Sequence, residues 1–260
     1  MSKIDLILGD CLEKMKDIPD NAIDMVLTDP PYGTTACKWD SIIDFNKMWE
    51  QLHRITKDNG AICLFGSEPF SSSLRMSNIK NYKYDWIWNK CVASNFAVAK
   101  YQPLKEHEII SVFSKATHNY FPIKEPRRGS GEQRSKYKGS VTKGVNQTSG
   151  LIRNQAGKMY NAKLRNPGSV LEFNPRKEKR GLHPTQKPVS LLEYLINTYT
   201  TKGNTVLDFT MGSGSTAIAC RNTNRNFIGI EYDECYYKVT KLRYLGKIDE
   251  AREMRKNYGK

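Results

Sequence analysis

Four consecutive residues, Asp29-Pro30-Pro31-Tyr32, combine the parts needed to hold a flat ring that bears an exocyclic amine. The lone pair of such an amine is delocalised into the ring, so it attacks poorly unless acceptors pull on its hydrogens. The Asp29 carboxylate supplies one acceptor and the Pro30 carbonyl a second. Each proline fixes φ at about −65° and removes a backbone donor, which stiffens the turn and keeps competing N–H groups from the amine. Tyr32 adds a ring able to stack on a base lifted out of a duplex. The plain alternative is a rigid surface turn with a half-buried tyrosine. The setting argues against it. The tetrad follows Ile23-Asp24-Met25-Val26-Leu27-Thr28, which reads as a buried strand, and α/β sheets bind ligands at the carboxyl ends of their strands.

A second chemical segment, Asp208-Phe209-Thr210-Met211-Gly212-Ser213-Gly214, closes the strand Thr205-Val206-Leu207 and opens a helix at Ser215. Glycines there let the backbone approach a ligand closely. The absence of a lysine after the last glycine excludes a phosphate-binding P-loop, and the spacing is not that of the six-residue dinucleotide fingerprint. Such a turn alone is weak, and an acid alone is a surface acid. Together they are informative, because Ile230-Glu231 puts an acid at the end of the next strand, where a carboxylate can accept both ribose hydroxyls of a nucleoside cofactor.

These segments need strands and helices to hold them. Ile4–Leu8 reads as a strand ended by Gly9-Asp10, and Cys11–Asp17 as a short helix. Residues 42–55 carry apolar residues at helical spacing (Ile42, Phe45, Met48, Trp49, Leu52). Ala61–Phe65 is a buried strand, Pro69–Met76 a helix, and Tyr84–Trp88 and Ile109–Phe113 are further strands. Regular patterning resumes with a helix from Val189, and a charged helix follows from Glu234. Strands alternating with helices predict an α/β fold with a mostly parallel, doubly covered Rossmann-like sheet. The expected organisation is a catalytic half over 1–114, a loop-rich basic insertion over 115–178 and a cofactor half over 179–260.

Charge locates the partner. The chain of 260 residues carries a net +14. Residues 115–180 hold 16 Lys or Arg against 4 Glu, an excess of +12, so the remainder is nearly neutral. One basic segment beside a base-handling motif points to nucleic acid and its phosphates. The six cysteines form no Cys-x-x-Cys pair and do not cluster with the four histidines, which predicts buried free thiols in a reducing cytoplasm and no metal site. No apolar run reaches the roughly 18 residues of a membrane span, and Met1–Asp5 does not read as a signal peptide.

Taken together, these residues resemble the amino-group DNA methyltransferases, in particular the permuted β-class subgroup. The resemblance covers most of the chain outside the basic segment. It makes Asp29-Pro30-Pro31-Tyr32 the catalytic motif and Asp208–Gly214 the S-adenosylmethionine loop, late in the chain as the subgroup has it. Gly181-Leu182-His183-Pro184-Thr185-Gln186-Lys187-Pro188 matches the specific motif that precedes this loop. The resemblance implies that His183, Thr185 and Lys187 line the methionine end of the cofactor. It implies that Gly9-Asp10-Cys11 meets the adenine, with Asp10 accepting from the amino group. Thr210, Gly212, Ser213, Gly214, Ser215 and Glu231 complete the expected cofactor set with Asp208. One departure stands out: the family loop has proline then phenylalanine after the acid, and Phe209-Thr210 stands here. Thr210 then occupies an aromatic's place, unless Phe209 substitutes.

The implied activity is methyl transfer from S-adenosylmethionine to adenine N6 in a short duplex sequence, as in restriction-modification. Arg127, Arg128, Arg134, Lys136 and Lys138 are the candidate DNA-binding residues, and a homodimer is plausible from the family. Cytosine N4 is the nearest rival, although an aspartate opening the tetrad leans towards adenine. RNA or a glutamine side chain as acceptor, and a DNA-binding module without catalysis, are the others.

Overall fold

The computed structural model describes residues 2–33, 41–126, 164–178 and 181–258. Ten strands are described: β1 (Ile4–Leu8), β2 (Ile23–Thr28), β3 (Thr56–Gly66), β4 (Tyr82–Ser94), β5 (Lys105–Phe113), β6 (Glu125–Pro126), β7 (Leu164–Arg165), β8 (Val170–Glu172), β9 (Thr205–Asp208) and β10 (Asn226–Glu231). The helices are α1 (Cys11–Lys14), α2 (Phe45–Ile55), α3 (Phe70–Ser77), α4 (Val189–Tyr199), α5 (Ser215–Thr223), α6 (Glu234–Tyr244) and α7 (Ile248–Asn257).

Eight strands form one sheet in the order β1-β10-β9-β2-β3-β5-β4-β8. The first five run parallel; β5 is antiparallel to both β3 and β4, and β8 runs parallel to β4. This is the mostly parallel α/β sheet that the strand–helix alternation predicts. Its interior strands alternate between two apolar layers. Met25, Leu27, Ala61, Cys63 and Phe65 face a layer built with Leu191, Leu192, Leu195 and Ile196 of α4 and Ala217, Ala219 and Cys220 of α5. Val26, Ile62 and Leu64 face the layer of Met48, Trp49, Leu52 and Ile55 of α2 and Phe70 and Leu74 of α3. Burial on both faces of the sheet is why these strands read as continuous apolar runs.

The helices start where capping allows. Asp44 accepts from the Lys47 amide at the start of α2. Pro188 gives α4 no side-chain cap, and the Glu178 carboxylate supplies one by accepting from the Val189 and Ser190 amides at 2.7 and 3.0 Å.

Several sequence expectations shift. The strand expected at Ala61–Phe65 begins at Thr56, and the turn residues Lys57–Gly60 sit in an irregularity of its pairing with β2. The charged C-terminal helix is two helices, broken at Gly246, whose φ of +82° ends α6. Cys91 is exposed rather than buried, while Cys63, Cys220 and Cys235 are buried. The chain divides into a larger unit, Met1–Phe121 with Ser169–Lys260, and a smaller one, Pro122–Gly168. The smaller unit is narrower than the 115–178 that composition marks. Backbone pairing explains the difference: Ala116, Asn119 and Phe121 amides bond to Asp58, Asn59 and Thr198, and β8 adds an edge strand to β4. Within the smaller unit, β6 and β7 pair antiparallel, with Arg165 2.6 Å from Glu125. Arg127, Arg128, Arg134, Lys136, Lys138 and Cys37 lie outside the described residues.

Candidate active site

The carboxyl ends of β1, β10, β9, β2 and β3 open onto one cavity of about 470 Å³ in the larger unit. Asp10, Cys11, Asp29, Pro30, Pro31, Tyr32, His183, Thr185, Lys187, Asp208, Thr210, Gly212, Ser213, Ser215 and Glu231 all line it. Gly214 does not. It stands at the start of α5 with φ +71°, and an added Cβ would come 2.5 Å from Thr240 Cγ2. Its role is close packing of the loop on α6.

Strand register explains how segments so far apart in sequence meet. β9 pairs with β2 through Met25–Val206 and Val26–Leu207, so Thr28-Asp29 and Asp208 leave neighbouring strands side by side. A set of hydroxyls joins them. Asp208 accepts from Thr28 Oγ1 at 2.7 Å, Thr216 Oγ1 at 2.6 Å and the Thr210 amide at 3.2 Å. Thr210 Oγ1 lies 2.6 Å from Thr28 Oγ1 and donates to the Asp29 carbonyl at 3.1 Å. Burial pushes the Asp208 carboxyl up to about 6, against the pull of the Thr216 and Thr28 hydroxyls. Its hydrogen bonds are internal, so it fastens the loop. Thr210, in the place of an aromatic, anchors the Asp29 turn, while Phe209 is buried in the core layer with Met15, Val26 and Leu207.

On the β10 side, Glu231 accepts from the Gly212 amide at 2.8 Å and the Asp233 amide at 2.9 Å, one on each carboxylate oxygen. Burial raises its carboxyl to about 7, and the two amides offset only part of that. Gly212 has φ +52°, and an added Cβ would meet His183 no closer than 3.6 Å, so glycine is required there by backbone conformation. Asp10 caps α1 through the Leu12 and Glu13 amides, and burial lifts the Cys11 thiol to about 12. The His183 ring packs on Tyr236 at 4.3 Å. Burial, then Lys187 and Arg255, lower it to about 4, so it is neutral. Its Nδ1 accepts from the Thr185 amide at 3.2 Å, which puts the ring proton on Nε2.

At the other end, the Tyr32 hydroxyl donates to Asp29 Oδ1, and its ring packs on Phe70 at 5.0 Å. Lys187 does not sit apart with the cofactor residues: its Nζ donates to Asp29 Oδ2 at 2.6 Å and stands 3.1 Å from Glu108 Oε2. Burial raises the Asp29 carboxyl, and Lys187 offsets part of this. Pro30 lines the same cavity directly after Asp29.

The family model described as "DNA methylase" matches residues 23–242. The chain belongs to the DNA methylase family. Among its relatives, the type II methyltransferase M.BglII of Bacillus subtilis is 30% identical, over 93% of this chain and 69% of its own. The DNA adenine methyltransferase YhdJ of Escherichia coli K12 is 28% identical, over 90% and 80%. Two solved structures share the fold: an M1.HpyAVI-SAM complex (TM-score 0.60, 24% identity, 92% of this chain and 99% of that one) and the PvuII cytosine-N4-specific DNA methyltransferase (TM-score 0.66, 15% identity, 99% and 94%).

Residues of this DNA methylase site that sequence reasoning missed are mostly supports. Arg243 looked like part of a charged surface helix. It is buried, donates to Ser213 O at 2.8 Å and Ser215 Oγ at 3.0 Å, and burial lowers it to about 10. Thr28 and Thr216 gave no signal beyond a strand end and a first helical turn. Glu108 sits in β5 opposite Trp88, at the amino end of an antiparallel strand and hence at the cavity edge of the sheet. Among the described residues, no group of three or more His, Cys, Asp or Glu could hold a metal, and no helix is long and apolar enough to cross a membrane.

Proposed function

We propose that this DNA methylase transfers the methyl group of S-adenosylmethionine to N6 of an adenine flipped out of duplex DNA. The observation that carries the reading is the juxtaposition, in one cavity, of the Asp29-Pro30 turn with the buried Glu231 carboxylate. The residues present fit the cofactor. Glu231, fixed by two amides, is built to accept a ribose diol; Gly212 and the start of α5 give close backbone approach; Asp10 and Tyr232 line the side expected for the adenine. The cavity size is that of ordinary small-molecule sites. When bound, the cofactor supplies an electrophilic methyl group on a sulfonium.

The chain's own contribution is to make the amine able to attack. The Asp29 carboxylate and Pro30 carbonyl would accept one amino hydrogen each, which favours a tetrahedral nitrogen whose lone pair points at the methyl group. Tyr32 would stack on the flipped base once its hydroxyl leaves Asp29. As the N–C bond forms and the methyl–sulfur bond breaks, its electron pair staying on sulfur, the proton shed by the nitrogen would pass to Asp29 or to water. The aspartate at the first tetrad position and the YhdJ relative support adenine as the target. The basic segment would grip phosphates, with Arg127, Arg128, Arg134, Lys136 and Lys138 as its leading candidates. Work on DNA and the free thiols support a cytoplasmic setting. Pairing of two copies goes with the family, and sedimentation tests it.

The test is mass spectrometry of nucleosides from DNA incubated with S-adenosylmethionine and the protein, beside Asp29→Ala. N6-methyladenine with wild type and none with Asp29→Ala, cofactor binding retained, is expected. N4-methylcytosine would overturn the base assignment, and no modified nucleoside across varied duplexes would overturn the reading.

A further inference from the structure

From Asp29 runs a largely buried row of alternating charge whose other members methyl transfer as described does not use. Asp29 Oδ2, Lys187 Nζ, Glu108 and Lys90 Nζ follow one another, with spacings of 2.6, 3.1 and 3.6 Å. Lys187 is 8% exposed, and its ammonium stands 5.1 Å from the Phe65 ring centre and 5.9 Å from that of Trp88. An ammonium in such aromatic surroundings survives only if paired. Its one well-directed hydrogen bond among these goes to Asp29. Glu108 Oε2 is buried and meets Lys187 as an ion pair without a hydrogen bond of good geometry. This arrangement leaves little reason to assign Lys187 to the cofactor's methionine end.

Resting on the reading of Asp29 as the catalytic acceptor, we propose that Lys187, braced by Glu108, is a positioning residue that pins Oδ2 of Asp29 and offers Oδ1 to the target amine. The pinned oxygen fixes the rotation of the carboxylate. The nearby positive charge opposes the upward push of burial and favours the ionised form, which can accept both from Tyr32 or the base and from Lys187. The groups facing Asp29 are Lys187, Glu108, the Tyr32 hydroxyl and, through the threonines, Asp208; Lys90 and Lys105 face Glu108.

Two variants separate this from a structural or cofactor-holding role. Lys187→Met removes the charge that favours ionised Asp29, so the acid limb of the kcat–pH profile should move up by about 1–3 pH units. S-adenosylmethionine affinity should stay within about twofold at pH 8, where a fixed and uncharged side chain changes nothing else in the cofactor pocket. Glu108→Gln removes a like charge, so the limb should move down while the plateau falls. Opposite shifts have no structural explanation. Lys187→Arg should return the limb towards wild type. If Lys187→Met does not fold, the downward shift in Glu108→Gln decides alone. An acid limb that stays in place overturns the proposal, as does a large loss of cofactor affinity in Lys187→Met. Asp29→Ala distinguishes the two levels: retained methylation there would sink the parent reading, whereas an inactive Asp29→Ala with unmoved limbs in the other variants sinks only this one.

Discussion

Protonation of Glu231 should control cofactor affinity in the neutral range. Its carboxyl, raised by burial to about 7, is shared between the Gly212 and Asp233 amides and faces Asp233 and Asp208 as like charges. The remaining lone pairs can accept from both ribose hydroxyls only when the group is ionised, since the protonated oxygen becomes a donor. Binding therefore selects the anion and releases a proton. In the cofactor-free protein at pH 6 only about one molecule in eleven carries the ionised form, so the dissociation constant should be about tenfold weaker than at pH 8. The histidine that lines the cavity, His183, stays neutral over this span because burial lowers it to about 4. Glu231→Gln should flatten the dependence and weaken binding at pH 8 by about 10- to 100-fold, the worth of a hydrogen bond to a charged group. Stability runs the other way. The folded state holds the proton more tightly than the unfolded chain, so the cofactor-free protein loses stability as pH rises from the ordinary carboxyl value towards 7. Glu231→Gln should recover only part of the roughly 3 kcal/mol of that cost at pH 8, because its amide nitrogen cannot accept from one of the two backbone amides. Titration calorimetry at pH 6–8, in two buffers of different ionisation enthalpy, reads both affinity and proton release. A flat affinity with no proton released would refute the argument.

Three further outcomes follow from the same geometry. Thr210→Val keeps the volume but removes the donor to the Asp29 carbonyl; kcat should fall by about five- to thirtyfold with cofactor affinity little changed, and single-turnover methylation checks it. Gly214→Ala places a Cβ 2.5 Å from Thr240 at φ +71°, so thermal unfolding should occur several degrees lower, a loss of about 1–3 kcal/mol; Gly168→Ala, where a Cβ meets nothing within 4 Å, is the control. DNA affinity should fall steeply with salt, by about 10³ or more between 50 and 200 mM if six or more phosphates are neutralised; a flat response in a filter-binding titration would remove the basic segment from the interface.

What the sequence made legible were features set by neighbours along the chain. Asp29 and Asp208 follow apolar runs that read as buried strands, Asp10 follows the first strand and Glu231 ends the strand after the glycine loop, so local pattern alone places four of the site's five carboxylates. Glu108 escapes it. It precedes Ile109–Phe113, whose apolar run dominates the pattern, and its approach to Asp29 depends on the β4–β5 hairpin returning antiparallel so that Trp88 faces Glu108. Arg243 was hidden for a different reason: it shares its helix with exposed charges such as Lys238 and Lys241, and only the packing of α6 on the loop of Ser213 buries it. Lys187 was legible as a site residue, but its partner was not, because a motif gives membership of a pocket and not which end of the pocket a long side chain reaches. Thr210 read as a missing aromatic, yet its hydroxyl fills a place between two loops.

That hydroxyl bears on why the late position of the glycine loop in the chain is no obstacle to its meeting the Asp29 turn. The sheet sets β9 between β10 and β2 whatever their order in the chain, and the parallel register then leaves Thr28, Asp29 and Asp208 at one edge. Position alone would give two loops that share a cavity and move independently. Reacting atoms must be held more closely than that, since small misplacements cost large factors in rate. Asp208 gathers Thr28, Thr216 and the Thr210 amide, and Thr210 reaches on to the Asp29 carbonyl. The loop that would seat the cofactor is thereby bonded to the turn that would hold the base. Because the linking groups are side chains and carbonyls at strand ends, the link depends on strand adjacency and is indifferent to which strand the ribosome makes first.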